Sequence, residues 1–318
     1  MRAVLVTGAS SPLGQGLVRS FLSDTRIRHV LAVDTLPPER AMPFAHAGRL
    51  TYVPADLTRP RKLRELLYGV ARDLGVEVVV HLSEHVGAYG GGRRVYAQNV
   101  EALRGILELV DDHPTIRRLV VKSHAVVYRV RLDLPVQVEE DHPLNLEPRA
   151  PQYVRDRVEA DLTACARMGQ IRCEVVVLRC AEIMAPGVGS QLYDYLSGPV
   201  VFSTLGYDPM VNLASLDDVV DALELASHGS GEGVFNIPGY DTLPLSAAAR
   251  AAGRPVVPLP EALIRPAYGL RHWLTGSAFR YGIHRDQMHL GLVLDGTRAA
   301  QTLGYRPRHP VAWSADGV

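Results

Sequence analysis

The sequence carries no excess of charge of either sign: Lys+Arg number 34 and Asp+Glu 34 in 318 residues. A chain dedicated to nucleic acid or to an anionic membrane surface needs a basic excess or patch, so this balance argues against both. Lysine itself is nearly absent. Lys62 and Lys122 are the two, and arginine supplies the other cations. Cysteine is scarce as well. Cys165, Cys173 and Cys180 fall in one region without metal-ligand spacing, and apolar neighbours point to buried free thiols. No apolar run has the length of a transmembrane helix. No signal-like segment stands ahead of the first apolar run, which begins at Ala3, so a cytoplasmic, reducing compartment is the expectation. Repeats and low-complexity tracts are missing too. What is left is a globular chain long enough for one large or two small domains.

What is present begins with Ala3 to Val6, a short apolar run that reads as a buried strand. A turn of small residues follows, and then Leu13, Leu17, Val18, Phe21 and Leu22 recur at helical spacing. The turn has the pattern T-G-x-x-S-x-x-G, from Thr7 and Gly8 through Ser11, Pro12 and Leu13 to Gly14. Strand, tight turn and helix form the setting in which such a pattern holds a dinucleotide. Small residues let the pyrophosphate approach the backbone, and the helix N-terminus meets its charge. A strand-to-helix turn without ligand is the plain alternative. A second strand, Val30 to Val33, closes on Asp34, about 20 residues past the last glycine, where an acid meets the adenosine ribose. A carboxylate there repels a 2′-phosphate, so NAD is expected over NADP.

Further strands read at Leu50–Val53, Val76–Leu82, Leu119–Ser123 and Glu174–Leu178, with helices over 61–74, Ala97–Val110 and Tyr153–Met168 between them. The alternation argues for an α/β fold, a Rossmann-type doubly wound parallel sheet. After Arg179 the rhythm changes. A helix starting at Asp217, a strand at Gly233–Ile237 and helices near 245–252 and 261–274 remain. The expected division is a dinucleotide-binding domain over 1–180 that also receives about 210–237, and a smaller interleaved C-terminal substrate part over 181–209 and 238–318. His81, His85 and His124 stand at strand ends facing one crevice and form a weaker candidate for an open metal site. The crevice is assigned to the dinucleotide instead, and no metal is expected.

Taken together, several stretches resemble the extended branch of the short-chain dehydrogenase/reductase superfamily, the NAD-dependent sugar epimerase/dehydratase family. They are the Thr7–Gly14 turn, Asp34, Asp56-Leu57, His81-Leu82-Ser83, Asn99-Val100-Glu101-Ala102, Leu119–Tyr128, Tyr153, Arg179 and Val211–Val220, with a looser match over Asp295–Pro307. The resemblance implies NAD at the carboxyl edge of the sheet, with Asp56, Leu57, His81, Leu82, Ser83, Asn99 and Ser123 among its neighbours. It also implies a substrate, often a nucleotide sugar, held by the C-terminal part. Catalysis in that family uses a tyrosine as acid/base, a lysine four residues later that lowers its pKa and binds the nicotinamide ribose, and a serine or threonine on the reacting oxygen.

This chain matches the tyrosine with Tyr153 and departs at the other two positions. Arg157 stands where the lysine belongs and His124 where the hydroxyl belongs; Ser11 replaces a glycine of the turn. Arg157 shares Tyr153's helix face and keeps the charge, but guanidinium is bulkier and planar. His124 is read as a donor to the substrate oxygen or an acid/base near neutral pH. A solvated Arg157 and a His124 bonded to backbone are the plain alternatives. Three functions follow: an oxidoreductase on a nucleotide sugar or similar polar alcohol with Tyr153 as acid/base, an NAD-liganded scaffold or redox sensor, and a reductase of a non-sugar ketone. The resemblance also implies a homodimer built on the Ala97–Val110 and Tyr153–Met168 helices, with Val154, Val158, Leu162 and Cys165 at suitable spacing; a face buried within the domain would look the same.

Overall fold

The computed structural model describes residues 1–41 and 48–313. Residues 42–47 and 314–318, which the expected domain ranges include, lie outside the described residues. Seven strands form one sheet: β1 (Arg2–Thr7), β2 (Ile27–Asp34), β3 (Leu50–Pro54), β4 (Val76–His81), β5 (Arg118–His124), β6 (Glu174–Cys180) and β7 (Gly233–Ile237). Every neighbouring pair is parallel, and the order is β7-β6-β5-β4-β1-β2-β3. Helices cover both faces, so both sides of a strand are buried. This is why β4 and β6 read as runs of valine instead of alternating apolar and polar residues.

On one face lie α1 (Pro12–Ser23) and a helix at Leu216–His228, which pack against each other. Gly16 sits at that contact, where a Cβ would come 3.1 Å from Val220 and 3.2 Å from Leu216. On the other face run the helix from Pro60, the long helix that ends as α2 (Ala102–Val110), and part of α3 (Gln152–Cys165). Two of these contain a wide π-helical turn, at Leu66–Ala71 and at Ala97–Glu101, where a plain helix was expected. The helix that ends as α2 begins at Arg93, four residues ahead of its expected start.

Val154 and Val158 face inward, 1% and 4% exposed, and belong to the core of their own domain. They are therefore not part of an outward apolar face; of the four residues expected there, Leu162 is the exposed one at 42% and Cys165 is half-buried. Cys173 and Cys180 are buried free thiols, and burial pushes both up to about 12.

The C-terminal part has a core of its own, built on Tyr195, Leu213, Ile264, Tyr268 and Phe279. Its strands are short: Glu182–Ile183, Met210–Ala214 and Asp241–Pro244 in one sheet, and Val201–Thr204 beside Val256–Leu259 in another. Helices at Leu245–Ala251 and Glu261–Thr275 lie where expected, the second continuing through Pro266. The helices at Gln191–Leu196 and Tyr281–Leu290 were not anticipated. The segment between the two parts is shared: 210–214 joins the small sheet, while 216–228 and 233–237 return to the large one. No described helix is long and apolar enough to cross a membrane.

Candidate active site

The sheet order reverses between β1 and β4, and a crevice opens there at the carboxyl ends. Two glycines make the turn after β1 possible. Gly8 has φ +67°, and a Cβ on it would lie 2.9 Å from the backbone of Leu82 and Ser83. A Cβ on Gly14 would lie 2.3 Å from the Gly8 carbonyl oxygen. Ser11 caps α1: its hydroxyl accepts from Gly14 N at 3.0 Å and donates to the Gly8 carbonyl at 2.7 Å. The hydroxyl is thus committed within the turn. Pro12 brings no N–H. In the first turn, Leu13 N–H is the backbone donor left without a partner among the described residues.

Asp34 ends β2 facing this turn. One carboxylate oxygen accepts from Ser10 N at 3.0 Å and Ser10 Oγ at 2.5 Å, the other from Thr35 N at 2.6 Å. An open cleft of about 790 Å³ runs from here past Gly8, Ser10, Leu82 and Ser83 to Glu84 and Lys122. Asp56 sits at the end of β3, where the Thr58 hydroxyl, at 2.6 Å, holds its carboxyl below the usual range and Arg59 adds to the effect. Leu57 is buried in the core.

Thr7 and His81 tie β1 to β4. The Thr7 hydroxyl accepts from Leu82 N at 3.2 Å and Ser83 N at 3.3 Å, so its own proton goes to His81 Nδ1 at 2.9 Å. The imidazole is then neutral with its proton on Nε2, and burial pushes its pKa down to about 4. Asn99 sits in the π-helical turn. It accepts from His85 N at 2.8 Å and donates to Asp156 at 3.2 Å, stapling the loop after β4 to α3.

Deeper in, a small cavity is lined by two of the catalytic candidates, His124 and Arg157, and by two residues the sequence reading passed over, Glu84 and Lys122; Tyr153 is not in its lining. Glu84 joins the other three. Its carboxylate meets Lys122 Nζ at 2.5 Å, His124 Nε2 at 2.6 Å and Arg157 Nη2 at 3.3 Å. Burial opposes its charge, but His124, Lys122 and Arg157 together hold its pKa well below the usual carboxylate range. Desolvation is also the main reason that His124 falls to about 4, against the pull of Glu84. His124 is bonded to side chains, not to backbone.

Arg157 is buried, not solvated. Its guanidinium carbon lies 3.6 Å from the centre of the Tyr153 ring, and it donates to the Tyr153 carbonyl at 3.1 Å. The Tyr153 hydroxyl donates to the Gly189 carbonyl at 2.9 Å. Burial raises the Tyr153 pKa, and Arg157 only partly offsets this. Ser123 faces the opposite way from His124 and donates to Asp161 at 2.6 Å. The rarity of lysine was the signal for Lys122: one of two lysines lies inside an apolar strand, its side chain 3% exposed.

A further small cavity lies between the sheet ends and the C-terminal part, bounded by Ala125, Glu182, Leu192, Asn212, His284 and Met288. Glu182 accepts from Ser190 Oγ at 2.6 Å, and His284 Nε2 is buried without a partner among the described residues. The three histidines of the metal alternative do not converge. Among the described residues, the groups of metal-ligating types close enough to share an ion are Asp24, Glu224 and His228, and Asp218, Asp221 and His309. Arg26 and Arg308 already pair with their carboxylates.

A family model described as the NAD dependent epimerase/dehydratase family matches residues 4–197, more than half of the chain. The chain belongs to that family. Within it, an uncharacterized protein of Mycobacterium tuberculosis is 31% identical across 96% of this chain and 80% of its own length. A dTDP-glucose 4,6-dehydratase from Bacillus anthracis in complex with NAD superposes with a TM-score of 0.72 at 18% identity, covering 99% of this chain and 94% of that one. A UDP-glucuronic acid 4-epimerase from Bacillus cereus, in complex with UDP-glucuronic acid and NAD, gives 0.71 at 17% identity over 99% and 96%. At such identities the likeness to the solved structures is one of fold.

Proposed function

We propose that this chain binds NAD in the cleft and acts as an oxidoreductase on a nucleotide sugar or similar polar alcohol. The observation that carries the reading is the closure of the Gly8–Gly14 turn on β4 beside a cleft that ends at Asp34. The cradle fits a dinucleotide. Leu13 N–H and the N-terminus of α1 meet the pyrophosphate, and Asp34 accepts from the adenosine ribose. Asp56 and Leu57 border the adenine, while Thr7, His81 and Asn99 fix the wall formed by Leu82 and Ser83. Bound NAD supplies a hydride acceptor or donor.

The chain's own part is proton transfer and positioning. Tyr153 moves a proton at the substrate hydroxyl once its bond to Gly189 is released, His124 binds the reacting oxygen, and Arg157 holds the Tyr153 ring from its face. Single-turnover absorbance of the reduced cofactor, with UDP-glucose as probe, tests hydride transfer. NAD binding by calorimetry tests the cleft separately.

One observation favours a second reading, an NAD-liganded scaffold or sensor without turnover. The Tyr153 hydroxyl is buried and occupied by Gly189, and Arg157 shares its charge with Glu84. Binding without reduction across a panel of nucleotide sugars would support it. A homodimer through the outer side of α2 and α3 would rest on Leu162 and on the polar surface carrying the Arg104–Glu159 pair. Sedimentation velocity tests it, and a single monomer boundary counts against it.

A further inference from the structure

We propose that Lys122 and Glu84 form the binding site for the second, distal ribose of the dinucleotide, so that the cation of this site comes from strand β5 and not from α3. The inference rests on the NAD reading above and adds two residues to it. Both side chains lie at the junction where the open cleft meets the inner cavity, and both border each of them. Asp34 marks the other end. Lys122 stands three strand spacings away across β1 and β4, on the order of 14 Å. An extended dinucleotide anchored at Asp34 by one ribose brings its other ribose to that end.

The chemistry suits a vicinal diol. Lys122 Nζ carries three N–H donors. Glu84 takes one at 2.5 Å, and His124 Nε2, at 3.0 Å, accounts for at most one more. A third has no protein partner among the described residues. Glu84 still has acceptor capacity beyond Lys122, His124 and Arg157, since an ionised carboxylate offers about four lone-pair sites. A diol needs both a donor and an acceptor, and a lysine–glutamate pair presents the two side by side with little net charge. A bare cation would favour a phosphate instead.

Arg157 is differently employed. Its guanidinium is stacked on Tyr153, one terminal nitrogen donates to the Tyr153 carbonyl, and the other faces Glu84 and, at 3.4 Å, the His85 carbonyl. It borders the inner cavity but not the cleft.

Calorimetry with NAD, ADP-ribose and ADP separates the claims, because ADP lacks the distal ribose. Lys122→Met should weaken NAD and ADP-ribose by roughly ten- to hundredfold, the loss expected for one charge-assisted hydrogen bond, while ADP affinity stays within about twofold. Lys122→Met leaves Glu84 short of one partner, so Lys122→Met/Glu84→Gln serves as the test protein if the single variant does not fold. Unchanged affinity for all three ligands, or an equal loss for all three, overturns the proposal. So does a selective loss of NAD and ADP-ribose in Arg157→Met when Lys122→Met has none. Wild-type protein that binds none of the three defeats the NAD reading itself, and the inference with it.

Discussion

Both carboxylate oxygens of Asp34 accept hydrogen bonds from Ser10 and Thr35, which holds the group in one orientation at the end of β2. The oxygen that takes both Ser10 bonds is filled, and the other, held by Thr35 N at 2.6 Å and by the Thr35 hydroxyl at 3.3 Å, accepts from a ribose hydroxyl when the longer Thr35 bond gives way. A 2′-phosphate at that position meets fixed negative charge. NAD should therefore bind about tenfold or more tightly than NADP, the scale of a charge-assisted hydrogen bond. Asp34→Ala should narrow the gap. Calorimetry with both cofactors measures it, and equal affinities in the wild type would contradict the assignment.

His81 makes a different prediction at the same scale. Its imidazole takes up a proton near 6.5 when unfolded but only at about 4 when folded. Between those values the unfolded chain binds more protons. The stability His81 contributes is thus fully present above pH 6.5 and is lost as pH falls toward 4. Thermal melts across this range should show a flatter acid limb for His81→Asn than for the wild type; parallel curves would remove His81 as a cause.

At the scale of elements, α1 depends on its cap. Ser11 has φ −66° and ψ 156°, ordinary extended backbone, so the position does not demand glycine. Its hydroxyl closes the turn by bonding Gly14 N and the Gly8 carbonyl. Ser11→Ala should cost about 1 kcal/mol in urea unfolding, and Ser11→Gly only a few tenths. If the two variants unfold alike, the cap is not what stabilises this turn. Gly14 permits no such exchange, because the atoms a Cβ would meet are backbone and cannot move aside.

For the whole molecule, the buried Arg179–Asp161 pair anchors a network that reaches elements far apart in sequence. Arg179 Nη2 donates to Asp161 at 2.6 Å and Nε at 3.0 Å, while Nη1 donates to the Glu140 carbonyl and the Tyr128 hydroxyl. Tyr128 in turn donates to Asn236 at 2.6 Å, and Ser123 to Asp161. The network thereby links β5, α3, β6 and β7. Arg179→Met strands a buried carboxylate and should cost roughly 3–5 kcal/mol. Arg179→Met/Asp161→Leu should recover part of that in the same denaturant titration. A double variant no more stable than the single one would mean that the pair is not the unit that matters.

The parallel sheet, the Thr7–Gly14 turn and Asp34 were legible in the sequence. Each follows from short-range rules: two-sided burial gives unbroken valine runs, close backbone approach demands small residues, and the lengths of one helix and one strand set the distance to the acid. The reach of Arg157 toward Tyr153 was legible too, because helical spacing brings residues four apart together. The partners of these groups were not. Glu84 lies in an irregular loop, Lys122 on the next strand and Arg157 on a helix, and no periodicity in the chain relates the three. Whether the Tyr153 hydroxyl is free depends on Gly189, 36 residues away and beyond two further strands. Side-chain burial and the pairing of charges across such distances are set only when the sheet and the C-terminal part close on one another. Sequence by itself determined the fold and the cleft; the tertiary structure decided which charges meet inside it, because electrostatic pairing is a property of distance in space.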